Sequence, residues 1–197
     1  MLPERVTSHP VLLRLFTPAD ASRVQTLVAD AEVAEPTASI PHPYPPGAAA
    51  AWIASHDADR ERGAQYTYAI ASADGATLIG AIGLRPLADL HDNLGYWIGR
   101  PYWGHGYATA ATMAITALAF GYLDCEALAA SYLERNPASG RVLEKCGFAL
   151  PRSVSREHRG RIEAFAVRSL MRDAWELRIG GSPGAGLPAE DTTGDRS

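Results

Sequence analysis

Apolar residues along the chain follow two periods, and together they predict one domain that mixes strands and helices. Two-residue alternation, typical of half-buried strands, predicts strands over residues 11–16, 65–71, 77–84, 93–100, 126–133, 148–154 and 161–170. Three- and four-residue spacing predicts helices over 18–30, 47–62 and 105–121, and a short helix over 171–177. Asp74-Gly75, between two of these strands, is typical of a tight hairpin turn.

A glycine turn joins the central strand to the longest predicted helix. Gly104 and Gly106 carry no Cβ and stand just before the first helical turn, whose N–H groups lack partners within the helix. Such a joint can close around an anion, most naturally a phosphate. Two familiar phosphate motifs are excluded, because Thr109 replaces the third glycine of the dinucleotide fingerprint and Tyr107 replaces the lysine of a P-loop. Alone, the joint is equally compatible with a plain strand-to-helix turn.

A second motif follows the next strand, with the sequence Asn136-Pro-Ala-Ser139-Gly-Arg-Val-Leu-Glu-Lys-Cys-Gly-Phe148. Together with the glycine turn, it resembles the GNAT family of acyl-CoA-dependent N-acetyltransferases, whose corresponding helix reads Asn-x-x-Ser and then Leu-Glu-Lys-x-Gly-Phe. The closer match is the branch that includes ribosomal-protein alanine acetyltransferases. The resemblance extends from about Val11 to Trp175.

This resemblance implies an α/β (α+β) fold with a curved, mostly antiparallel sheet and helices on both faces. The central strands, around residues 93–100 and 126–133, would be adjacent, parallel and splayed apart. The helix at 105–121 would link them as a right-handed crossover.

The resemblance also implies where acetyl-CoA binds. A bulge in the central strand would open a wedge for the pantetheine arm, which backbone N–H groups around Tyr96, Trp97 and Ile98 would contact. Asn136 would hydrogen-bond the arm, and Ser139 would lie near the sulfur as a candidate proton donor. The residues that would face the pyrophosphate are Gly104, His105, Gly106, Tyr107 and Ala108. In the alternative interpretation, Asn136 and Ser139 only cap their helix, and the aromatic residues belong to the core.

Two residues depart from the family pattern at catalytic positions. Many relatives in this branch have glutamate at the position of Asn93, but asparagine cannot accept a proton at neutral pH. Other members place a tyrosine acid where Leu143 stands, so Ser139 or water would have to protonate the departing thiolate. The catalytic positions are therefore assigned to Asn93 and Ser139, with the general base missing or elsewhere.

The acceptor side is expected between the first two helices. The segment Ile40-Pro-His-Pro-Tyr-Pro-Pro46 cannot form a regular helix, because each proline biases the preceding residue to extended backbone. It is either a stiff surface connection or a wall of the acceptor site that offers His42 and Tyr44. Tyr132, on a neighbouring strand, is either a further substrate contact or a packing residue.

Composition restricts the partners and the compartment. The chain has 197 residues and a net charge of −4, which argues against nucleic acid as the main partner. Cys125 and Cys146 have no metal-ligand spacing, so free thiols in a reducing cytoplasm and no bound metal are expected. Neither a signal peptide nor an apolar run of membrane-spanning length is visible. We expect an N-terminal extension at 1–10, the acetyltransferase domain at 11–177 and a disordered glycine- and proline-rich tail at 178–197.

The resulting hypothesis is transfer of an acetyl group from acetyl-CoA to a primary amine by direct attack, in a cytoplasmic monomer or homodimer. The amine would belong to a protein N-terminus or, alternatively, to a small molecule such as an antibiotic or polyamine. A third hypothesis, from a different class, is a CoA-binding sensor or scaffold that has lost catalysis.

Overall fold

The computed structural model describes residues 2–86 and 92–180. The elements of these residues are, in chain order, β1 (Arg5–Ser8), β2 (Val11–Arg14), α1 (Ala21–Val28), α2 (Ala31–Ala34), α3 (Ala48–Ala54), α4 (His56–Glu61), β3 (Tyr66–Ser72), β4 (Leu78–Leu84), β5 (Leu94–Ile98), α5 (Tyr107–Tyr122), β6 (Ala127–Leu133), α6 (Pro137–Lys145), β7 (Arg152–His158), β8 (Arg161–Met171) and α7 (Arg172–Arg178). Single 3-10 turns lie at Pro18–Asp20, before α1, and at Arg100–Tyr102, after β5.

The strands form two antiparallel sheets, which confirms a mixed α/β fold with mostly antiparallel pairing. One sheet has five strands in the order β1-β2-β3-β4-β5, and the other has three in the order β6-β8-β7. Within the described residues, β5 and β6 contact each other at their first residues but share no ladder, as expected for a splayed central pair. Each is an edge strand of its own sheet, and the gap between them contains the candidate site.

The two faces of the five-stranded sheet are covered by different helices. The alternation of β3 shows this, because Tyr68 and Ile70 point to the face that packs on Ile115 of α5. Ala69, between them, points to the opposite face and packs with Val24 of α1. Both faces of the sheet are therefore buried, and each side of the gap has its own helical support.

The first strand of the structure lies in the segment that the sequence analysis set apart as an extension. Residues 5–8 form the edge strand β1, whose Val6 is opposite Leu13 of β2 and is 1% exposed. The predicted helix over 47–62 is interrupted at Ser55, between α3 and α4. The predicted disordered tail lies outside the described residues from position 181 onward.

Strand β7 begins four residues later than predicted, because Phe148 belongs to the end of α6 rather than to a strand. Gly147 adopts φ 92°, and the Phe148 N–H donates to the carbonyl of Leu143 at 3.0 Å. This arrangement is typical of a helix C-terminus, where an apolar residue after the glycine packs back on the last turn. In the described part of the chain, no helix combines the length and the apolar character needed to cross a membrane.

Candidate active site

The two sheets meet at Asn93, which stands immediately before β5. Its backbone N–H donates to the carbonyl of Ala129 on β6 at 3.1 Å. The Ala129 N–H donates to Asn93 Oδ1 at 2.7 Å, and Asn93 Nδ2 donates to the carbonyl of Ala127 at 3.3 Å. Asn93 is 2% exposed. Its side chain therefore holds the first residues of the two strands together, and the strands separate beyond it.

One edge of β5 faces this gap. The Gly99 N–H donates to a carbonyl of β4, at Ile79, over 2.9 Å. Because alternate residues of a strand direct their backbone groups to opposite sides, the N–H groups of Tyr96 and Ile98 point away from β4 and into the gap. The Trp97 N–H points to β4, so Trp97 can contribute only its side chain to a site in the gap.

The bulge expected around residues 96–98 is wrong, because β5 pairs with β4 residue by residue along its whole length. The two strands instead approach unusually closely. A Cβ added at Gly80 would lie 2.1 Å from the carbonyl oxygen of Trp97. Gly80 therefore permits a position of β5 that any other residue type would oppose, while Asn93 fixes where the gap begins.

The turn before α5 contains two glycines in left-handed backbone. Gly104 has φ 81° and Gly106 has φ 78°. Gly106 is the N-cap of α5 without any side-chain capping bond, and the Ala110 N–H donates to its carbonyl at 3.0 Å. The N–H groups of the three residues before Ala110 therefore lack helical partners. A Cβ added at either glycine would meet no atom within 4 Å, so this turn has room for a diphosphate.

The other residues predicted to face the pyrophosphate lie at this turn. His105 is exposed, and its ring stacks on that of Tyr107 with 5.5 Å between the centroids. Tyr102 contacts Tyr107 at 6.5 Å, and Nη2 of Arg23 donates to the Tyr102 hydroxyl at 2.5 Å. Ala108 is half-buried in the first turn of α5. Aromatic rings thus flank the open N–H groups on one side.

Ser139 and Tyr96 form a pair of hydroxyls on the α6 side of the gap. Their oxygens are 2.8 Å apart, and the Tyr96 hydroxyl also lies 3.2 Å from the carbonyl of Ser139, to which it can donate. Burial raises the pKa of Tyr96, and the hydrogen bond from Ser139 offsets this only in part. The phenol therefore stays protonated at neutral pH, so the pair can retain a proton but cannot act as a base.

Asn136 is the N-cap of α6, but its side chain makes no capping hydrogen bond. Ser139 directs its hydroxyl to Tyr96 instead of to the helix start. Neither side chain therefore performs the capping role that was the alternative to a role at the cofactor. Both lie on the part of α6 that is nearest to β5.

The two cysteines are free and buried. Burial raises the pKa of Cys146 to about 12 and also raises the pKa of Cys125. Both are therefore thiols at neutral pH and are poor nucleophiles. Among residues 2–86 and 92–180, no group of three or more His, Cys, Asp and Glu side chains is arranged to hold a metal ion.

The proline-rich segment lies on the face of the gap opposite α6. Ile40 and Tyr44 pack in the same apolar cluster as Trp97 of β5, and burial raises the pKa of Tyr44. His42 is exposed. Next to Trp97, a Cβ added at Gly95 would meet no atom within 4 Å, so this face of β5 is open.

Tyr132 lies on the other face, away from Tyr44. A Cβ added at Gly140 of α6 would lie 2.6 Å from the Tyr132 hydroxyl, which also accepts from Arg168 Nε at 3.4 Å. A cleft of about 360 Å³ adjoins Tyr132 between α6 and the three-stranded sheet, with Glu144 on its wall. Neither β5 nor the glycine turn lines this cleft, so it is separate from the gap.

The sequence analysis named no residue of the β7–β8 hairpin, although this hairpin binds the segment after α2. Nη2 of Arg159 donates to the carbonyls of Ala34 at 3.0 Å and Ile40 at 2.6 Å. His158 Nε2 donates to the carbonyl of Glu35 at 2.8 Å. Gly160 was the sequence signal for this turn. The signal was missed because the strand before it was predicted at 148–154, too far from Gly160 to form a hairpin there.

The acetyltransferase (GNAT) domain model matches residues 11–149, which include the gap, the glycine turn and the start of α6. The chain belongs to the GNAT acetyltransferase family. This GNAT protein is an N-acetyltransferase whose acyl donor is acetyl-CoA. The open edge of β5 and the uncapped start of α5 fit the pantetheine amides and the diphosphate of that donor.

Solved acetyltransferase structures share this fold at low sequence identity. RimL, the ribosomal L7/L12 alpha-N-protein acetyltransferase in complex with coenzyme A, is 15% identical, with a TM-score of 0.74 over 87% of this chain and 99% of its own. The ribosomal-protein-S5-alanine acetyltransferase from Vibrio fischeri is 18% identical, with a TM-score of 0.73 over 87% and 98%. The microcin C7 self-immunity acetyltransferase MccE, in complex with acetyl-CoA and AMP, is 14% identical, with 0.72 over 83% and 93%. A comparison with curated proteins gives no match.

Proposed function

We propose that this GNAT enzyme acetylates the α-amino group of a protein N-terminus by direct attack on acetyl-CoA, in the cytoplasm. The observation that supports the proposal best is the gap between β5 and β6. It is closed at Asn93 and open near the glycine turn, so an extended arm can lie between the strands while its diphosphate lies at the start of α5.

The proposed cofactor contacts follow from the geometry of the two elements beside the gap. The N–H groups of Tyr96 and Ile98 bind the amides of the arm, and the uncapped side chain of Asn136 binds it from α6. The open N–H groups at Gly106 and the next residues bind the diphosphate. The partial positive charge at the start of a long helix favours binding of the anion.

We assign the proton for the departing thiolate to Ser139. Its hydroxyl lies 2.8 Å from the protonated phenol of Tyr96, which orients it. The two buried thiols have raised pKa values, so attack by the amine itself is favoured over an acyl-cysteine route.

The amine is proposed to approach from the face that carries Tyr44 and Trp97, because the cofactor and α6 occupy the opposite face. On this face, the open position beside Gly95 leaves room next to β5. His42, exposed on the same segment, would lie at the entrance. Tyr132, predicted as an acceptor contact, packs against Gly140 of α6 on the opposite face, so we leave it out of this path.

The lack of a base at position 93 favours an α-amino acceptor. Asn93 is held by two strands and its amide cannot take a proton. An α-amino group has an intrinsic pKa near ~8, so a useful fraction is neutral near pH 7, whereas a lysine amine near ~10.4 needs a base. Proximity of amine and thioester then supplies much of the acceleration.

The proposal is tested by following release of free CoA with peptides that carry a free N-terminus, with the same peptides blocked at the N-terminus but containing lysine, and with small amines. We expect turnover only with the free N-termini. Turnover with small amines alone would favour the small-molecule alternative, and CoA binding without turnover would favour a sensor.

The role of Ser139 is tested in the same assay. Ser139→Ala should lower kcat by about 10- to 100-fold with little change in the affinity for acetyl-CoA, because a proton donor acts in the transition state. Ser169→Ala, at an exposed serine of β8, is the matched control. An unchanged kcat for Ser139→Ala would assign the proton to water.

A further inference from the structure

We propose that Arg159, at the turn between β7 and β8, determines which acceptors enter the site by fixing the segment that crosses the open side of the gap. This segment, residues 34–47, is called the strap. The inference rests on the proposed function, because it assumes that the amine enters on this face.

The backbone at Arg159 is the first observation. Arg159 has φ 51° and Gly160 has φ 76°, and the pair His158–Arg161 closes this two-residue turn. Arg159 is the one non-glycine residue with positive φ in the described part of the chain. Turns of this kind favour Asn-Gly, because a Cβ disfavours left-handed backbone. An arginine kept in such a conformation indicates a role for its side chain.

Among the described residues, the hydrogen bonds of the Arg159 side chain all go to the strap. Its Nη2 donates to the carbonyls of Ala34 and Ile40, and its Nε lies 3.4 Å from the carbonyl of Glu35. Hydrogen bonds from a charged donor are stronger than neutral ones. One guanidinium therefore connects three points of the strap that are up to six residues apart.

Two further side chains, one in the three-stranded sheet and one just after β6, hold the same segment. His158 is 6% exposed, and its ring meets the edge of Phe165 at 5.7 Å while Nε2 donates to the carbonyl of Glu35. Arg135, just after β6, pairs with the carboxylate of Glu35 at 3.3 Å and with that of Glu163 at 2.8 Å. The start of the strap is thus attached to the sheet that contains β6.

The middle of the strap is attached to the other sheet. Ile40 and Tyr44 pack on the apolar cluster that includes Ala69 of β3 and Leu78 of β4, and Trp97 of β5 packs on the same cluster. Because the strap contacts both sheets, it crosses the side of the gap from which the amine is proposed to approach. An acceptor must therefore pass beneath it, and the distance between strap and sheet sets the size of side chain that the second residue of a peptide can have.

The variant Arg159→Gly tests this inference, because glycine tolerates the left-handed turn while the side chain that binds the strap is removed. The full chain is assayed with peptides of increasing bulk at the second residue. We expect the KM for the best acceptor to rise about tenfold and the preference among peptides to weaken, with the KM for acetyl-CoA unchanged. Arg159→Lys should restore part of the preference. Arg161→Ala, at an exposed arginine of the same hairpin, should match the wild type.

Amide hydrogen exchange of residues 34–40 gives a readout that does not depend on catalysis. Exchange should be faster in Arg159→Gly and unchanged in Arg161→Ala. Unchanged exchange would show that Arg159 does not hold the strap, and faster exchange with unchanged acceptor preference would show that the strap does not select acceptors. Each result overturns the inference. A wild-type protein that acetylates no amine would instead remove the proposed function, and the acceptor role of Arg159 with it.

Discussion

The two sides of the gap between β5 and β6 are constructed in different ways. The side proposed to bind the cofactor depends on backbone: the open edge of β5, the left-handed glycines at 104 and 106, and the close approach at Gly80. The side proposed to admit the acceptor depends on long side chains, chiefly Arg159 and Arg135, which reach from one sheet to a segment without regular structure. The glycine positions of the first side accept few other residue types, whereas the side-chain contacts of the second side could be made by many different residues.

This difference explains which part of the site could vary without loss of the reaction. A diphosphate and a pantetheine arm are the same for every acyl transfer, so backbone contacts suffice for them. An acceptor differs from enzyme to enzyme, and side chains on loops can be exchanged without altering the sheets. The cofactor side should therefore tolerate substitution badly, and the acceptor side should respond with altered selectivity.

The largest expected effect is that of Gly106→Leu on acetyl-CoA binding. A side chain at this N-cap would fill the space assigned to the diphosphate and oppose the φ of 78°. We expect the dissociation constant, measured by calorimetry, to rise at least about 100-fold. The matched control is Gly47→Leu, because Gly47 is the N-cap of α3 with φ 79° and equally open space. Equal affinity in both variants would remove the diphosphate assignment.

Asn93 acts as a pin, meaning that its hydrogen bonds hold the two sheets together, and the variant Asn93→Asp tests this role. An aspartate loses the donor to the carbonyl of Ala127, and as a carboxylate it faces that oxygen in a nearly fully buried position. Leaving such a group unpaired costs about 3 kcal/mol of unfolding free energy at pH 7. Protonation would restore the donor, so the folded-state pKa of this aspartate should be raised, and the loss should diminish as the pH falls toward 5.

Urea unfolding at several pH values measures this effect, with Asn136→Asp as the control. Asn136 is half-buried and its side chain makes no capping bond, so the unfolding free energy of Asn136→Asp should differ little from that of the wild type. A stability of Asn93→Asp equal to wild type at pH 7 would contradict the role of Asn93 as a pin. The contacts of Asn93 would then not be what closes the gap at this end.

Two glycines of β4 provide a matched test of the close approach. Gly80→Ala places a methyl 2.1 Å from the Trp97 carbonyl, whereas at Gly83 the nearest atom, Gln65 Nε2, is 3.6 Å away. We expect Gly80→Ala to lower the unfolding free energy by about 2 kcal/mol and to weaken acetyl-CoA binding, since β5 must move. Gly83→Ala should be neutral or slightly stabilising in the same thermal melts. Equal stabilities would show that β5 adjusts without cost.

The elements of the proposed cofactor side could be predicted from the sequence because their signals are local. The turn at Gly104 and Gly106, the start of α5 and the segment after Asn136 each lie within a few residues of one another. The alternation along β5 predicted this strand to within two residues, and the family resemblance predicted that it separates from β6. The predicted cause, a bulge at residues 96–98, was wrong: the strands separate beyond the contacts between Asn93 and Ala129, which are far apart in sequence.

The acceptor side could not be predicted because its contacts are distant in sequence. Arg159 and Ala34 are 125 residues apart, and nothing near either residue indicates the other. The polar edge strand β7 carries little apolar alternation. The strand was therefore predicted to begin at Phe148, the nearest large apolar residue. Tyr132 and Tyr44, both predicted as substrate contacts, lie in different clusters of the structure, because strand alternation shows that a residue has a face but not what lies on it.

The smallest expected effect concerns the side-chain packing of the acceptor side, at His56. This histidine is buried against Trp52 and Phe16, with ring centroids at 4.5 and 5.2 Å, and neither ring nitrogen has a hydrogen-bond partner within residues 2–86 and 92–180. Burial lowers its pKa, although Asp59 and Asp57 raise it in part.

The folded protein therefore resists protonation of His56, while the unfolded chain takes up a proton near pH ~6.5. Stability is retained above that pH and is lost as the pH falls below it. His56→Phe should remove this contribution, so the difference in unfolding free energy between pH 7.5 and 5.5 should shrink by less than about 1 kcal/mol. His42→Phe, at the exposed histidine of the strap, should leave the difference unchanged. Calorimetric scans at the two pH values decide the matter, and equal pH dependence in His56→Phe and the wild type would exclude His56 as its source.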